Sequence, residues 1–454
     1  MKNPFILLSM LIASYAVSAH AAQKSIADTI TVQELEMLIS KDTIVDLGLS
    51  VYWSNINLGA KDICDNGDYF AWGETEPKTF FAKENSKTYG RNTYELKQDG
   101  IVNENGELTP TNDAASVQWG AKYRMPNVEE IEELFSSCEI KGYIVKTEEK
   151  GLVYGVMFES PKTKGKIFFP FPGVYKGDSI AKYDPDNDFR PNAGACWASS
   201  IHNRGAADIA SNIAFTTGYY FYRHFGLPIR PVKEKNIDEN ADIWECLTVT
   251  SEMIQKKLGK NKIVDMGSGI KWTNCNLGAK YVYENGDYYA WGETSTKEQY
   301  TRSNSIVAAK DTADLANSGF VLRAKSTDDF GYEKTVYHLS PANDAAKQRL
   351  GKKYKTPDVD ELESLLYTCN IKRLRVKTPE GLIIKGYLLK SKTNGNMLFF
   401  PMAGNVIETP NFNGIRALYW SSTMINNQGF YLDFSAEMLL TDPYIGLPIR
   451  AISK

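Results

Sequence analysis

The sequence predicts an α+β protein built from two tandem domains, with mixed or antiparallel sheets and short helices. Three observations carry this expectation. The chain has 454 residues, more than the ~250–300 that one hydrophobic core usually serves. A long phrase is written twice, as GDYFAWGETEPK at 67–78 and GDYYAWGETSTK at 286–297, 219 positions apart. Within each copy, β-branched and alternating runs are split by Gly, Pro and Asn, with few helical patterns between them. Hydrophobic content of 43% and aromatic content of 12% describe a folded chain. The 52 basic and 55 acidic residues give a net charge of -3 without a basic stripe, so no nucleic-acid partner is expected.

Residues 1–21 have the form of a signal peptide. Lys2 starts it, Phe5 to Val17 is the apolar run, and Ala19-His20-Ala21 fits an A-x-A cleavage site. The run is shorter than the ~20 residues of a membrane-spanning helix, and no later stretch resembles one. The expectation is an exported protein, periplasmic, cell-surface or extracellular, with no transmembrane segment. Residues 22–42 form a lead-in, in which TVQELEMLISK (31–41) suggests a short helix.

Copy one spans 43–233 and copy two 262–454. Between 43–78 and 262–297, 21 of 36 positions are identical. LTPTNDAA, RMP, GKIFFPFPG, CWASS and GLPIR recur in order as LSPANDAA, KTP, GNMLFFPMAG, YWSST and GLPIR. A period this long is a duplicated domain rather than a solenoid repeat of 20–50 residues. The intervening 234–261 reads as a linker whose SEMIQKKLG forms a short helix ending at Gly259.

Inside a copy, IVDLGLSVYW reads as one strand. Asn66-Gly67 and Asn285-Gly286 suit a hairpin turn with φ > 0. NDAASVQWG reads as a short helix stopped by Gly120. Asn127 with Glu130, and Asp358 with Glu361, have the spacing of a capping box. Val128, Ile131, Leu134 and Phe135 then form one apolar face, as do Val359, Leu362, Leu365 and Leu366.

Taken together, VDLG, the Asn-Leu-Gly-Ala element, GDYFAWGETEPK, NDAA, RMP, FFP, W-x-S-S and G-L-x-x-R resemble the Fibrobacter succinogenes-type major paralogous domain of exported bacterial proteins. That family is related to the C-type lectin-like fold, as are formylglycine-generating enzymes and the variable proteins of diversity-generating retroelements. The resemblance covers nearly the whole mature chain. It implies two C-type lectin-like domains, each with its chain ends paired in one sheet, and names no ligand. In the variable proteins the region after W-x-S-S helps form the ligand face. The corresponding candidates are Trp197, Ser199, Tyr219, Tyr220, Tyr222 and Arg223 in copy one, and Trp420 and Ser422 in copy two. The copies diverge most here, with FTTGYYFYRHF (215–225) against FYLDFSAEMLLTDPYI (430–445). The alternative is a plain edge strand.

Other chemistry has less support. Asp68, Glu74, Asp287 and Glu293 in the repeated phrase could ligate a metal or a sugar, but an aromatic phrase present in both copies is expected to be framework, a core strand with its rings inward. Asp184, Asp186 and Asp188 alternate as at the start of a calcium loop. Phe189 stands where the turn glycine belongs and Ala195 where the twelfth-position Glu belongs, so neither calcium nor another cofactor is expected. No nucleophile–His arrangement recurs, and Cys196 of copy one meets Tyr419 in copy two, which leaves no cysteine pair of the formylglycine-generating kind. Arg230 and Arg450 of GLPIR are expected in buried ion pairs, with Asp46 and Asp265 among possible partners. The six cysteines are expected to be free and buried rather than bridged; Cys275 with Cys369 is the pair weighed. Four triplets, at 28–30, 42–44, 178–180 and 311–313, resemble the Asp-Ser/Thr-aliphatic O-glycosylation sequon of exported Bacteroidota proteins.

These readings favour a non-enzymatic binding protein for a glycan or a protein partner. A structural or adhesive surface component, and then a glycan-active enzyme, are the alternatives.

Overall fold

The computed structural model describes residues 28–181, 195–201, 209–214, 221–327, 333–407, 410–411, 413–435 and 438–453. The chain divides into two compact units with the boundary between Asn236 and Ile237. Both units are α+β, with mostly antiparallel strands and short helices.

Unit one opens with β1 (Asp28–Thr31) and α1 (Val32–Leu38), the latter capped by Thr31 and Glu34 in a capping box. The run expected to be one strand is two, β2 (Ile44–Val45) and β3 (Val51–Ser54), paired antiparallel. The break is at Gly48, whose φ of 69° reverses the chain. After α2 (Thr93–Gln98) comes α3 (Ala114–Trp119), which starts at the Asp113 cap and stops at Gly120. Next are β4 (Tyr123–Arg124) and α4 (Val128–Ser137), with the Asn127–Glu130 capping box in place. Then follow β5 (Glu139–Thr147), β6 (Gly151–Glu159), β7 (Lys166–Pro170), β8 (Val174–Lys176), β9 (Ser179–Ala181), β10 (Ala195–Ile201), β11 (Ile209–Ala214), β12 (Phe221–Tyr222) and β13 (Val232–Glu234).

The order β1-β5-β6-β7 makes one sheet, in which β1 runs parallel to β5. The order β2-β3-β13-β4 makes a second, so the closing strand of the unit lies beside an opening one. The run IFFP (167–170) in β7 is continuously apolar because its sheet is covered on both sides. Phe158 and Phe169 face Ile131 and Leu134 of α4. Met157 and Phe168 face Leu35 of α1.

Unit two repeats this plan. Its β14 (Thr248–Thr250) and α5 (Ser251–Leu258) lie in the segment read as a linker. They are part of the unit's core: β14 pairs parallel with β20, and Val249, Met253, Ile254 and Leu258 cover Leu388 and Phe399. The hairpin of β15 (Ile263–Asp265) and β16 (Lys271–Thr273) again splits at a positive-φ glycine, Gly267. The series continues with α6 (Thr312–Asn317), β17 (Val321–Thr327), β18 (Glu333–Leu339), α7 (Ala345–Leu350), β19 (Tyr354–Lys355), α8 (Val359–Thr368), β20 (Cys369–Lys377), β21 (Ile383–Ser391), β22 (Met397–Pro401), β23 (Asn405–Val406), β24 (Pro410–Asn411), β25 (Leu418–Ile425), β26 (Gln428–Asp433), β27 (Met438–Thr441) and β28 (Ile452–Ser453). Sheets β14-β20-β21-β22 and β15-β16-β28-β19 match those of unit one. The β17–β18 hairpin, which joins β25, β26 and β27, extends a region that is only eight residues (101–108) in copy one.

Gly67 and Gly286 adopt φ of 73° and 72°, as expected, but they do not join paired strands. Each closes an irregular loop in which the next residue's N–H returns to a carbonyl: Asp68 to Leu58, Asp287 to Leu277. No helix among the described residues is long and apolar enough to cross a membrane.

Candidate functional site

The repeated phrase is framework, though not as a strand. Only isolated bridges form, Phe70 with Leu227 and Tyr289 with Leu447. What fixes it is a pair of buried indoles. Trp72 donates to Ala198 O at 2.8 Å, and Trp197 donates to Phe70 O at 2.8 Å. In unit two Trp291 donates to Ser421 O at 2.8 Å and Trp420 to Tyr289 O at 2.7 Å. The two glutamates also have structural partners. Glu74 pairs with Lys78 and accepts the Lys87 N–H; Glu293 pairs with Lys297 and accepts the Ile306 N–H.

The expected ion pairs at Arg230 and Arg450 do not form. Arg230 is fully buried and donates to Asn57 Oδ1 at 2.7 Å, Ser54 O at 3.2 Å and Phe168 O at 3.0 Å. Its guanidinium carbon lies 4.0 Å from the Phe169 ring centroid. Arg450 repeats this with Asn276, Thr273 O, Asn274 O, Phe399 O and the Phe400 ring. Desolvation without a carboxylate pulls the Arg230 pKa down to about 10. Three hydrogen bonds from Arg230, and four from Arg450, to carbonyl and amide oxygens replace the counterion. Asp46 instead pairs with Lys235 at the surface, and Asp265 accepts the Gly267 N–H. The ion pair that does tie the terminal strand joins Arg124 to Glu234, with Glu130 on the same guanidinium.

Of the ligand candidates, Trp197, Ser199, Trp420 and Ser422 are at most 6% exposed. They belong to the interior: β10 and β25 bring their neighbours Ser200 and Thr423 to the first N–H groups of α4 and α8. Arg223 is also buried, stacked 5.6 Å from the Trp72 ring and donating to Arg91 O. Tyr219 and Tyr220 lie outside the described residues, as do Asp184, Asp186 and Asp188 and residues 1–21. Among the described residues no group of three or more His, Cys, Asp or Glu could hold a metal ion.

Tyr222 is the one widely exposed candidate among the described residues, and it belongs to a larger aromatic face. Its ring lies 5.6 Å from His224 and 5.5 Å from Phe225. His224 is packed edge-on against Tyr89 and Phe225, each at 4.7 Å. Two ammonium groups lie over this cluster, Lys83 Nζ 5.2 Å from the Tyr89 ring and Lys176 Nζ 5.0 Å from the Phe225 ring. Phe80 lies beside Gly177, where an added Cβ would come within 3.8 Å of its ring. Phe80 is 51% exposed and Tyr222 47%. Beneath them Phe81 stacks on Tyr175 at 5.7 Å.

Copy two has the same frame without this face. The ungapped alignment of 79–96 with 298–315 puts Gln299 at the place of Phe80 and Ala308 at that of Tyr89. Counting back from GLPIR, Asp442 stands for Tyr222, Tyr444 for His224 and Ile445 for Phe225. Reading the segments singly missed Phe80, Tyr89 and Phe225. The signal was present as aromatic residues in copy one facing Gln299, Ala308 and Ile445, none of them aromatic, in copy two.

All six cysteines are free. Burial pushes the Cys138 and Cys196 thiols up to about 12, and Cys64 and Cys369 to about 11. Compared with protein-family models, curated proteins and solved structures, the chain has no match.

Proposed function

We propose that this is an exported, non-enzymatic binding protein of two lectin-like domains, and that copy one carries the ligand face around Tyr222. The observation that carries this reading is the contrast between the copies. Trp72 with Trp197, and Arg230 on its carbonyls, recur residue for residue in unit two. The exposed aromatic residues do not recur, so the frame has no need of them. The pairing of β3 with β13, and of β16 with β28, supports the lectin-like reading, since it joins the two ends of each copy in one sheet. Export rests on the form of residues 1–21, and the secreted protein should begin near Ala22.

The test transplants copy two's residues into copy one, as Phe80→Gln, Tyr89→Ala, Tyr222→Asp and Phe225→Ile together. The mature protein and this variant are passed over a panel of glycans and purified host proteins. A ligand held by the parent and lost by the variant is expected. Retention of every ligand by the variant removes the site.

A structural or adhesive role has one observation of its own. Leu152 and Leu382 are 53% and 66% exposed, each just after a positive-φ glycine at the tip of the same hairpin in its copy. If these tips mediate assembly, the mature protein sediments as an oligomer and Leu152→Ser with Leu382→Ser makes it monomeric.

A further inference from the structure

We propose that the copy-one face is a carbohydrate platform, on which Tyr222 and Phe80 stack against sugar rings while Lys83 and Lys176 bond to hydroxyl or carboxylate groups. The inference rests on the reading of this face as a ligand site and names the class of ligand.

The chemistry of the surface favours a sugar over a protein. In the segments 79–91, 174–178 and 221–226 the exposed large apolar side chains are Phe80 and Tyr222, both aromatic. A protein-docking patch is normally a larger apolar area with a desolvated centre. A pyranose is different. One side of its ring is a set of C–H bonds that fits the negative face of an aromatic ring, and its rim is polar. The copy-one face offers both parts: two accessible rings, with ammonium groups at neighbouring rings.

Lys176 contributes most clearly. Its ammonium group lies over the Phe225 ring and, among the described residues, has no carboxylate within ion-pair distance. It is a donor available to a ligand. The rings around Tyr222 are also packed on one another. Tyr89, Tyr222 and Phe225 interlock around the buried His224 at 4.7 to 5.6 Å. A ligand with many hydroxyls and modest affinity gains from a surface that needs no ordering on binding.

Neutral and acidic sugars share this stacking and differ in what Lys176 meets. Calorimetric titration of the mature full chain with hexasaccharides of glucose, xylose, mannose and galacturonic acid separates them. At least one is expected to bind. Tyr222→Ala and Phe80→Ala should each weaken it by ~10-fold or more, and Tyr222→Phe should retain it. Lys176→Gln should weaken galacturonate selectively if the ligand is acidic, and a neutral sugar only slightly. Thermal unfolding shows whether the variants remain folded, and Tyr444→Ala in copy two is the control that leaves binding unchanged. If none of the four binds, the carbohydrate inference falls. The ligand-face reading survives that result only if a purified protein ligand is held by the parent and lost by Tyr222→Ala. Sugar binding that withstands both Tyr222→Ala and Phe80→Ala overturns the platform and the face together.

Discussion

Trp72 and Trp197 are reciprocally bonded: the first donates its indole N–H to Ala198 O beside the second, and the second donates to Phe70 O just before the first. Both rings are fully buried. The two bonds hold an irregular phrase against a strand where no backbone ladder joins them.

Removing the Trp72 donor takes the indole N–H from Ala198 O, and removing the Trp197 donor leaves Phe70 O with the Leu227 N–H alone. Trp72→Phe and Trp197→Phe should each cost about 1–3 kcal/mol, and the truncations to Ala about 3–5. Urea unfolding of residues 22–454 measures both. Because the bonds share one contact, the double Phe variant should lose less than the sum of the singles; strict additivity would mean that the residues act separately.

Arg230 and Asp46 should respond very differently. Arg230→Met leaves Ser54 O, Phe168 O and Asn57 Oδ1 without a donor and should destabilise unit one by roughly 3 kcal/mol or more. Asp46→Asn removes a surface pair with Lys235 and should cost under about 1 kcal/mol. Equal losses would restore the ion pair that the sequence suggested.

His338 sets a pH dependence in unit two. Its ring meets Thr423 Oγ1 at 3.2 Å, and burial holds its pKa below the ordinary value of 6.5. Asp358 and Asp360 oppose that shift, and Lys355 reinforces it. The unfolded chain therefore binds this proton more readily than the folded one. Stability should fall as the pH drops below 6.5, and His338→Asn should flatten that part of the curve. An unchanged acid limb would clear His338 of the effect.

The thiols should be silent in the native protein. Six should react with a chromogenic disulfide after denaturation without reductant, and few at pH 8 before it, given pKa values near 11 to 12 at four of them. Four or fewer after denaturation would reveal a bridge. Cys275 and Cys369 belong to separate apolar clusters, so Cys275→Ile, the residue at the matching Ile56, should be nearly neutral.

Fragments 22–236 and 237–454 should each unfold cooperatively. A fragment 262–454 should not, because it lacks Val249, Met253, Ile254 and Leu258 and strips one face of the β20–β22 sheet. Burying four such side chains is worth roughly 6 kcal/mol at the low end. A stable 262–454 would return this segment to the status of a linker.

Local rules make most of the helices legible, though the sequence reading has no helix at α2 or α6. Asn127, Asp358, Thr31 and Thr250 are caps where short-range chemistry decides. IVDLGLSVYW reads as one strand but folds as two, because one positive-φ glycine outweighs its β-branched pattern. The segment 234–261 reads as a linker because the parallel partner of its strand, β20, lies more than a hundred residues later. Arg230 suggests an acid partner because a buried cation in a sequence calls for one; carbonyls carry no residue label. The aromatic face was hidden for the same reason. Phe80, Lys176 and Tyr222 come from three distant segments; the sequence marks Tyr222 as a candidate, and setting the copies side by side marks Phe80.

The pairing of β3 with β13, and of β16 with β28, bears on how such a chain arises. In each module the closing strand lies against the hairpin that follows β1 or β14, so the module fastens its own tail to its own early strands. Copying the gene segment then needs no redesign of the junction: the new copy folds on its own ladder and asks only a short run of chain from its host. One copy can keep the inherited surface while the other accumulates changes. Here that freedom separates a surface with Tyr222 from one with Asp442.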